Sequence, residues 1–210
     1  MKYFIFFLPI LLISCFNNVD PKLQAHYNEI KSYFNETLTK HFPKSLPNEY
    51  KDFHYSSGLA QYEVSSFLEL KTEGLSKETY NSLKTKLIAS YLAKISPSDS
   101  CLIKVFSGSV NSEDELMQKT KFLNKNCIKG FPIPDFVISE SKSQDDNIYV
   151  LEADSINYFG KFDNPTLQEL FSKSEKPLIK YLPNKWSKGY SLGITTNDDH
   201  LIINYWLIIW

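Results

Sequence analysis

Arginine is absent from this chain of 210 residues, and all 23 of its basic side chains are lysine. The 24 acidic side chains leave a formal net charge of −1. Proteins dedicated to nucleic-acid binding carry a basic surface and use guanidinium groups to contact phosphates and base edges. The missing arginine and the balanced charge therefore argue against nucleic acid as the partner.

The chain also lacks the bias of disordered, collagen-like or multi-span membrane proteins. Hydrophobic residues make up 42% of it, charged residues 22% and aromatic residues 15%, while glycine occurs only 7 times. These proportions are typical of a globular protein. A chain of this length can bury a substantial core, so we expect one folded domain.

The first 14 residues have the layout of a signal peptide. Lys2 is followed by an apolar run over residues 3–13 and then by the small residue Ser14. The run is about half the length that a membrane-spanning helix needs, and it contains Pro9. We therefore expect residues 1–14 to be a signal peptide rather than a permanent span.

The segment Leu12-Ile13-Ser14-Cys15 resembles the lipobox of bacterial lipoproteins. In that family a branched apolar residue stands three positions before the cysteine and a small residue directly before it. The resemblance implies cleavage before Cys15, a diacylglyceryl group on its thiol, and a fatty acyl chain such as palmitate on the new amino terminus. Several acyl chains hold a domain on a bilayer stably, because each buried methylene contributes about 0.8 kcal/mol. An ordinary secretory signal with an accidental cysteine is the alternative.

The resemblance also implies a location and a domain organisation. Phe16, rather than aspartate, follows the cysteine, which favours the outer membrane under a sorting rule of some Gram-negative bacteria. We expect a lipoprotein of the cell envelope that faces the periplasm, and surface display stays open. Residues 15–21 would be the lipidated terminus and tether, and residues 22–210 one domain. The lysine-only, asparagine-rich composition resembles lipoproteins of AT-rich Bacteroidota genomes.

Cys101 and Cys127 are an even pair in a chain predicted to enter an oxidising compartment. Cys101 begins a predicted strand, and Cys127 follows a predicted helix. If the helix packs antiparallel on the strand, both cysteines lie at one edge, so we expect a disulfide between them. It would stabilise the fold by about 3 kcal/mol in the chain-entropy model. Two buried thiols are the alternative, and the missing Cys-x-x-Cys disfavours a zinc or redox site.

Helical and strand-like patterns alternate irregularly along the chain, without an internal repeat. Apolar spacing predicts helices over residues 21–41, 76–95, 112–126 and 164–171. Strands are predicted over residues 62–70, 101–106, 136–139, 148–151, 190–196 and 200–210, and residues 130–134 are extended. The turn Asn197-Asp198-Asp199 joins the last two strands into a hairpin. We expect a single-domain α+β fold with a largely antiparallel sheet, helices packed on one face, and a C-terminal hairpin.

Two patterns are candidates for catalysis. Gly189 to Gly193 matches the G-x-S-x-G motif of α/β-hydrolases, with Ser191 as the nucleophile. That motif needs a helix after the serine, whereas a strand is predicted here, so glycines entering a strand are the simpler interpretation. Glu152 and Asp154 lie two apart on a predicted strand and can form an acid/base pair, or be solvated.

Two further patterns are candidates for binding. His26 and Glu29 lie one helical turn apart, as metal ligands do, but two ligands do not make a site. A second set consists of aromatic residues near the C-terminus, which form either a platform for sugar rings or part of the core. Its members are Trp186, Tyr190, Tyr205, Trp206 and Trp210. We assign no catalytic, cofactor or metal residue.

Two functions fit these observations. The first is a lipid-anchored envelope protein whose domain binds a protein partner or a glycan without catalysis, which predicts an exposed apolar or aromatic patch. The alternative is an exported hydrolase whose site is assembled from distant residues. It predicts a pocket where at least two of Glu152, Asp154 and Ser191 converge with a perturbed carboxylate.

Overall fold

A computed structural model describes residues 19–56, 65–121, 123–124, 127, 130–141, 146–155, 181–186 and 188–210. The helices in these ranges are α1 Pro21–Ser32, α2 Glu36–Thr39, α3 Lys77–Leu87, α4 Glu113–Thr120 and α5 Asp135–Glu140. The strands are β1 Tyr50–Ser56, β2 Ser66–Thr72, β3 Ala93–Ile95, β4 Ile103–Val105, β5 Pro132–Pro134, β6 Asp146–Ser155, β7 Gly189–Asn197 and β8 Ile202–Ile209. Within these ranges, none of the helices has the length and hydropathy needed to cross a bilayer.

Six strands form one antiparallel sheet in the order β1-β2-β8-β7-β6-β3. Strands β4 and β5 form a separate parallel pair. A tight turn joins β7 to β8, in which the His200 N–H donates to Asn197 Oδ1 at 2.8 Å and Leu201 has a φ of 52°. The predicted α+β class, the largely antiparallel sheet and the C-terminal hairpin are confirmed.

The helices α1, α2 and α3 cover one face of this sheet. Apolar side chains recur every three or four residues along α1 and α2, so they form a stripe that packs on the sheet. The buried members of this core on the sheet side are Leu68, Leu70, Leu192, Ile194, Ile203, Tyr205, Leu207 and Ile209. Because alternate residues of a strand point to opposite faces, the residues between these apolar ones project from the other face of the sheet.

The opposite face is covered by α5 and the β4-β5 pair. Val137 of α5 and Ile133 of β5 pack with Ile148, Val150 and Trp206 of the sheet. A second cluster contains Ile103, Val105, Trp186, Ile208 and Trp210. Strand β8 is therefore buried on both faces, which explains why its sequence is apolar at nearly every position.

The helix predicted over residues 21–41 is two helices. Its beginning is as expected, because Pro21 occupies the first turn and Asp20 accepts the N–H of Lys22 at 2.9 Å. Asn35 then accepts the N–H of Thr37 at 2.8 Å and caps α2. An asparagine side chain that bonds the local backbone competes with helix continuation, so the chain breaks there.

Three other predictions fail in the described residues. Residues 93–95 were predicted to be the end of the helix over residues 76–95. They form strand β3 instead, because they can pair with the edge of β6. Residues 136–139 are helical in α5, which starts directly after the extended Pro134. Strand β1 was not predicted, because most of its side chains are partly or fully exposed and show no apolar alternation. The helix predicted over residues 164–171 lies outside the described residues, as do residues 62–64.

Gly193 is required by the packing of β6, β7 and β8. A Cβ atom at this position would overlap the carbonyl oxygen of Tyr149 and the indole ring of Trp206. Trp206 is fully buried and lies opposite Gly193 in the β7-β8 register, so its ring covers the glycine. The last glycine of the G-x-S-x-G pattern therefore has a packing role.

We predict that Gly193→Ala lowers the free energy of unfolding by about 3 kcal/mol, because neither the backbone nor the buried indole can move easily. Gly74→Ala is the matched control, since Gly74 has a φ of 81° and open space around it. Its loss should be about 1 kcal/mol, from the left-handed backbone alone. Urea denaturation measures the free energy of unfolding of both variants. Equal losses of stability in the two would refute the packing role of Gly193.

Candidate functional site

A cleft with both polar and apolar lining residues lies between α5 and the sheet, on the face opposite α1, α2 and α3. Its volume is about 220 Å3. Val137 and Glu140 of α5 form one wall, and the ends of β2, β6, β7 and β8 form the other. The polar lining residues from the sheet and the hairpin turn are Lys71, Asp146, Thr195, Asn197, His200 and Asn204.

Strand register brings the polar side chains of this cleft together. Asn204 of β8 lies opposite Lys71 of β2 on one side and opposite Thr195 of β7 on the other. Directly opposed residues of neighbouring strands project from the same face, so these three side chains stand side by side. One pair farther along, Asp146 of β6 lies opposite Asn197 of β7 and accepts a hydrogen bond from Asn197 Nδ2 at 2.7 Å.

Three residues that line the cleft have a buried side-chain oxygen without a hydrogen-bond partner among the described residues, namely Thr195, Thr196 and Asn204. Thr196 lies opposite Ile203, on the sheet face that the helices α1, α2 and α3 cover. Asn204 Oδ1 and Thr195 Oγ1 lie on the face of the cleft, and their residues are only 5% and 8% exposed. An unsatisfied buried polar group costs about 1–3 kcal/mol, and folded proteins contain few of them. A ligand that bonds to both atoms would remove this cost.

Glu69 lies directly behind Asn204 and is buried. Its carboxylate accepts a hydrogen bond from Asn204 Nδ2, and the residue is 4% exposed. Burial raises the pKa of Glu69 to about 7, and the negative charges of Glu140 and Asp52 act in the same direction. The hydrogen bond from Asn204 and the charge of Lys71 oppose this rise. Glu69 is therefore close to half-protonated at neutral pH.

An ion pair lies at the rim of the cleft. Lys71 Nζ and Glu140 Oε2 are 3.3 Å apart, and the lysine side chain is 24% exposed while that of Glu140 is 43% exposed. The pair joins β2 to the last residue of α5. Surface pairs of this kind contribute little to stability, so the ion pair can open without a large cost.

Ser191 is not placed as a nucleophile. It is completely buried in the middle of β7, and the strand continues past it to Asn197. The hydroxyl has no partner in the described part of the chain, so no base activates it. Asp198 in the neighbouring turn bonds to Tyr80 and Lys84 of α3 instead.

Glu152 and Asp154 do not form an acid/base pair. Glu152 accepts hydrogen bonds from Tyr190 Oη at 2.6 Å and from Lys40 Nζ at 3.0 Å. Burial alone would raise the pKa of Glu152, but these two hydrogen bonds hold it below its usual value. Asp154 is exposed. Glu152 therefore connects the segment after α2 with β7, and neither residue lines the cleft.

The aromatic residues near the C-terminus belong to the core, the second of the two interpretations that the sequence allows, and form no platform. Trp186, Tyr205, Trp206 and Trp210 are buried core residues with 3% exposure or less, and only Tyr190 is half-buried. Trp210 Nε1 donates to the carbonyl of Trp186 at 2.7 Å, which holds the end of the chain in the core. These rings stabilise the domain and offer no flat surface to a sugar.

His26 and Glu29 remain an isolated exposed pair. Their side chains approach to 3.8 Å, with about half or more of each accessible to solvent. No group of three histidine, cysteine, aspartate or glutamate residues in the described ranges is arranged to hold a metal ion. Tyr55 is 41% exposed beside this pair, and its ring centroid lies 6.2 Å from that of His26.

Cys101 and Cys127 lie next to each other as thiols. Burial raises the pKa of Cys127 to about 11, and a hydrogen bond with the Cys101 side chain acts in the same direction. Cys127 Sγ also lies 3.7 Å from the carbonyl oxygen of Ser100. The structure contains no bond between the two sulfurs, and the disulfide stays a prediction.

The sequence did not single out the residues of the cleft, although it contains a signal for two of them. Glu69 and Asn204 are isolated polar residues within apolar runs that form central strands. A buried polar residue of this kind is more informative than an exposed apolar one.

The chain matches no protein-family model, no curated protein and no solved structure. The assignment of a function therefore depends on the geometry of the cleft.

We predict that Glu69→Gln makes the protein more stable than wild type at pH 8 but not at pH 5. The pKa of Glu69 is raised on folding, so the wild type loses stability as pH rises from the usual glutamate value of 4.5 to about 7. The difference at pH 8 should be about 2–4 kcal/mol, since each pKa unit corresponds to about 1.4 kcal/mol. Chemical denaturation at the two pH values measures this difference in the free energy of unfolding between the variant and wild type.

Glu49→Gln serves as the control for this prediction, because Glu49 is an exposed carboxylate directly before β1. Its stability should follow that of wild type at both pH values. If the stability of Glu69→Gln and that of Glu49→Gln depend on pH in the same way, Glu69 is not a buried ionisable group.

Proposed function

We propose that this chain is a lipid-anchored protein of the bacterial cell envelope whose domain binds a small polar ligand, such as a glycan unit, without catalysis. The observation that supports binding most strongly is that two buried atoms of cleft residues, Asn204 Oδ1 and Thr195 Oγ1, lack a partner in the described ranges. A cleft lined by a few convergent polar groups is the usual form of a small-molecule site.

The same cleft supports binding over hydrolysis. The hydrolase alternative needs at least two of Ser191, Glu152 and Asp154 in one pocket, and none of the three lines the cleft. Its perturbed carboxylate, Glu69, is hydrogen-bonded to an asparagine rather than to a serine, cysteine or histidine. General acid–base catalysis would need such a partner or a substrate bond in reach.

The lipid anchor is supported by the lipobox-like segment that ends at Cys15. The helix α1 begins at Pro21, directly after its capping residue Asp20. The five steps from Cys15 to Asp20 span at most about 18 Å when fully extended. An anchored domain would thus stay close to the membrane surface, and we place it at the periplasmic face of the outer membrane.

We predict that wild-type protein is found in the membrane fraction and that Cys15→Ser releases it, because the acyl chains are lost with the thiol. Intact-mass measurement should give a chain that begins at Cys15 and carries fatty acyl groups. Cys101→Ser is the matched control and should stay in the membrane fraction. An unprocessed chain that starts at Met1 without fatty acids would contradict the anchor.

We also predict that Cys101 and Cys127 are oxidised to a disulfide in protein taken from the envelope, because adjacent thiols pair in an oxidising compartment. After denaturation without reductant, neither cysteine should react with an alkylating reagent, and both should react after reduction. Cys101→Ser should leave Cys127 reactive from the start. Alkylation of both residues without reductant would show that they remain thiols.

A further inference from the structure

We infer that the ligand of the cleft carries a protonated primary amine, which donates hydrogen bonds to Asn204 Oδ1 and Thr195 Oγ1 beside the carboxylate of Glu69. This inference rests on the proposed role of the cleft as a binding site and adds the chemical class of the ligand.

The side-chain amides of the two asparagines in the cleft already donate, whereas two of its buried oxygens lack a partner among the described residues. Asn204 Nδ2 donates to Glu69, and Asn197 Nδ2 donates to Asp146. Asn204 Oδ1 has no partner within the part of the chain that is described, and neither has Thr195 Oγ1, which can also accept. An ammonium group has three N–H donors and no acceptor, so it complements this arrangement better than a carboxylate or phosphate does.

Charge favours the same ligand. Three carboxylates belong to the cleft or lie directly behind it, namely Glu69, Asp146 and Glu140. Lys71 is the one lysine that the described part of the chain contributes to the lining, and it is paired with Glu140. A buried charge is tolerated when it is paired and hydrogen-bonded. A cation would therefore find a countercharge in the cleft, whereas an anion would be repelled.

The size of the cleft limits the ligand to a small molecule. Its volume of about 220 Å3 lies below the range of about 300–1,000 Å3 that is typical of sites for drug-sized ligands. Val137 and Ile202 supply an apolar part of the lining, against which a short carbon chain can pack. An amino alcohol or a single amino-sugar ring fits these dimensions better than a peptide segment.

Binding of an amine should depend on the protonation of Glu69. The groups that face Glu69 are His54 and Asp52 on β1, Lys71 on β2, Asn204 on β8 and Glu140 on α5. An ammonium placed beside Glu69 would favour the ionised carboxylate and lower its pKa from about 7. Binding would thus release a proton, and affinity would rise with pH through this range.

The test compares two probes that differ in one group, 2-amino-1,3-propanediol and glycerol. Calorimetry on the detergent-solubilised full-length protein should show the amine binding at least about tenfold more tightly than glycerol at pH 8, as a charged hydrogen bond implies. The preference should shrink at pH 6. Proton release should appear as a dependence of the binding heat on the ionisation enthalpy of the buffer.

Variants separate the groups that carry the effect. Glu69→Gln should bind the two probes within about twofold of each other and lose the pH dependence, since it removes the countercharge. Thr195→Val should weaken amine binding about tenfold while keeping the pH dependence, because it removes one acceptor only. His26→Gln, at an exposed histidine of α1 that does not line the cleft, is the control, and it should behave as wild type does.

The outcomes distinguish this inference from the proposed function. Equal binding of glycerol and the amine in the cleft would leave the binding role intact and overturn the amine class. Binding of Ca2+ that excludes the amine would overturn it too. Binding of neither probe at high millimolar concentration would count against the cleft as a ligand site altogether.

Discussion

The burial of β8 on both faces is the constraint on which the rest of the structure depends. A strand between β2 and β7, covered by helices on one side and by α5 with the β4-β5 pair on the other, has no access to water along most of its length. Each polar side chain on it must be satisfied inside the protein. Asn204 Nδ2 donates to Glu69, whereas Asn204 Oδ1 has no partner among the described residues, and Asn204 lines the cleft.

The two faces of the sheet carry different parts of the proposed role. On one face, α1 packs against the apolar side chains of β8, and its N-terminus is where the predicted tether from Cys15 joins the domain. The cleft lies on the other face, beneath α5. An anchored domain can therefore keep its membrane attachment and its ligand site apart, with the sheet between them.

Sequence reasoning succeeded where the signal is local. The hairpin, the start of α1 at Pro21 and the cap of α3 at Ser76 depend on residues a few positions apart, and all three are present. It failed where distant pairing decides, as in β3, which the edge of β6 holds in an extended conformation. The aromatic residues near the C-terminus were ambiguous for the same reason, because burial depends on the β4-β5 pair and not on their own spacing.

The cleft could not have been assembled from the sequence for a related reason. Lys71, Thr195 and Asn204 are separated by more than a hundred positions at the widest, and only the register of β2, β8 and β7 places them side by side. A shift of one residue in any pairing would send one of them to the opposite face. What the sequence does show is that Glu69 and Asn204 interrupt apolar strands, which indicates a buried polar site but not its partners.

The central claim is that Glu69 is buried and hydrogen-bonded to Asn204, whose Oδ1 atom has no partner among the described residues and is available to a ligand of the cleft. The most direct test is an NMR titration that follows the carboxyl carbon of Glu69 in the ligand-free protein. The account predicts a midpoint at about pH 7, caused by burial and by the neighbouring negative charges. A midpoint at the usual glutamate value of 4.5 would show that the carboxyl group is solvated, which would contradict its burial behind Asn204.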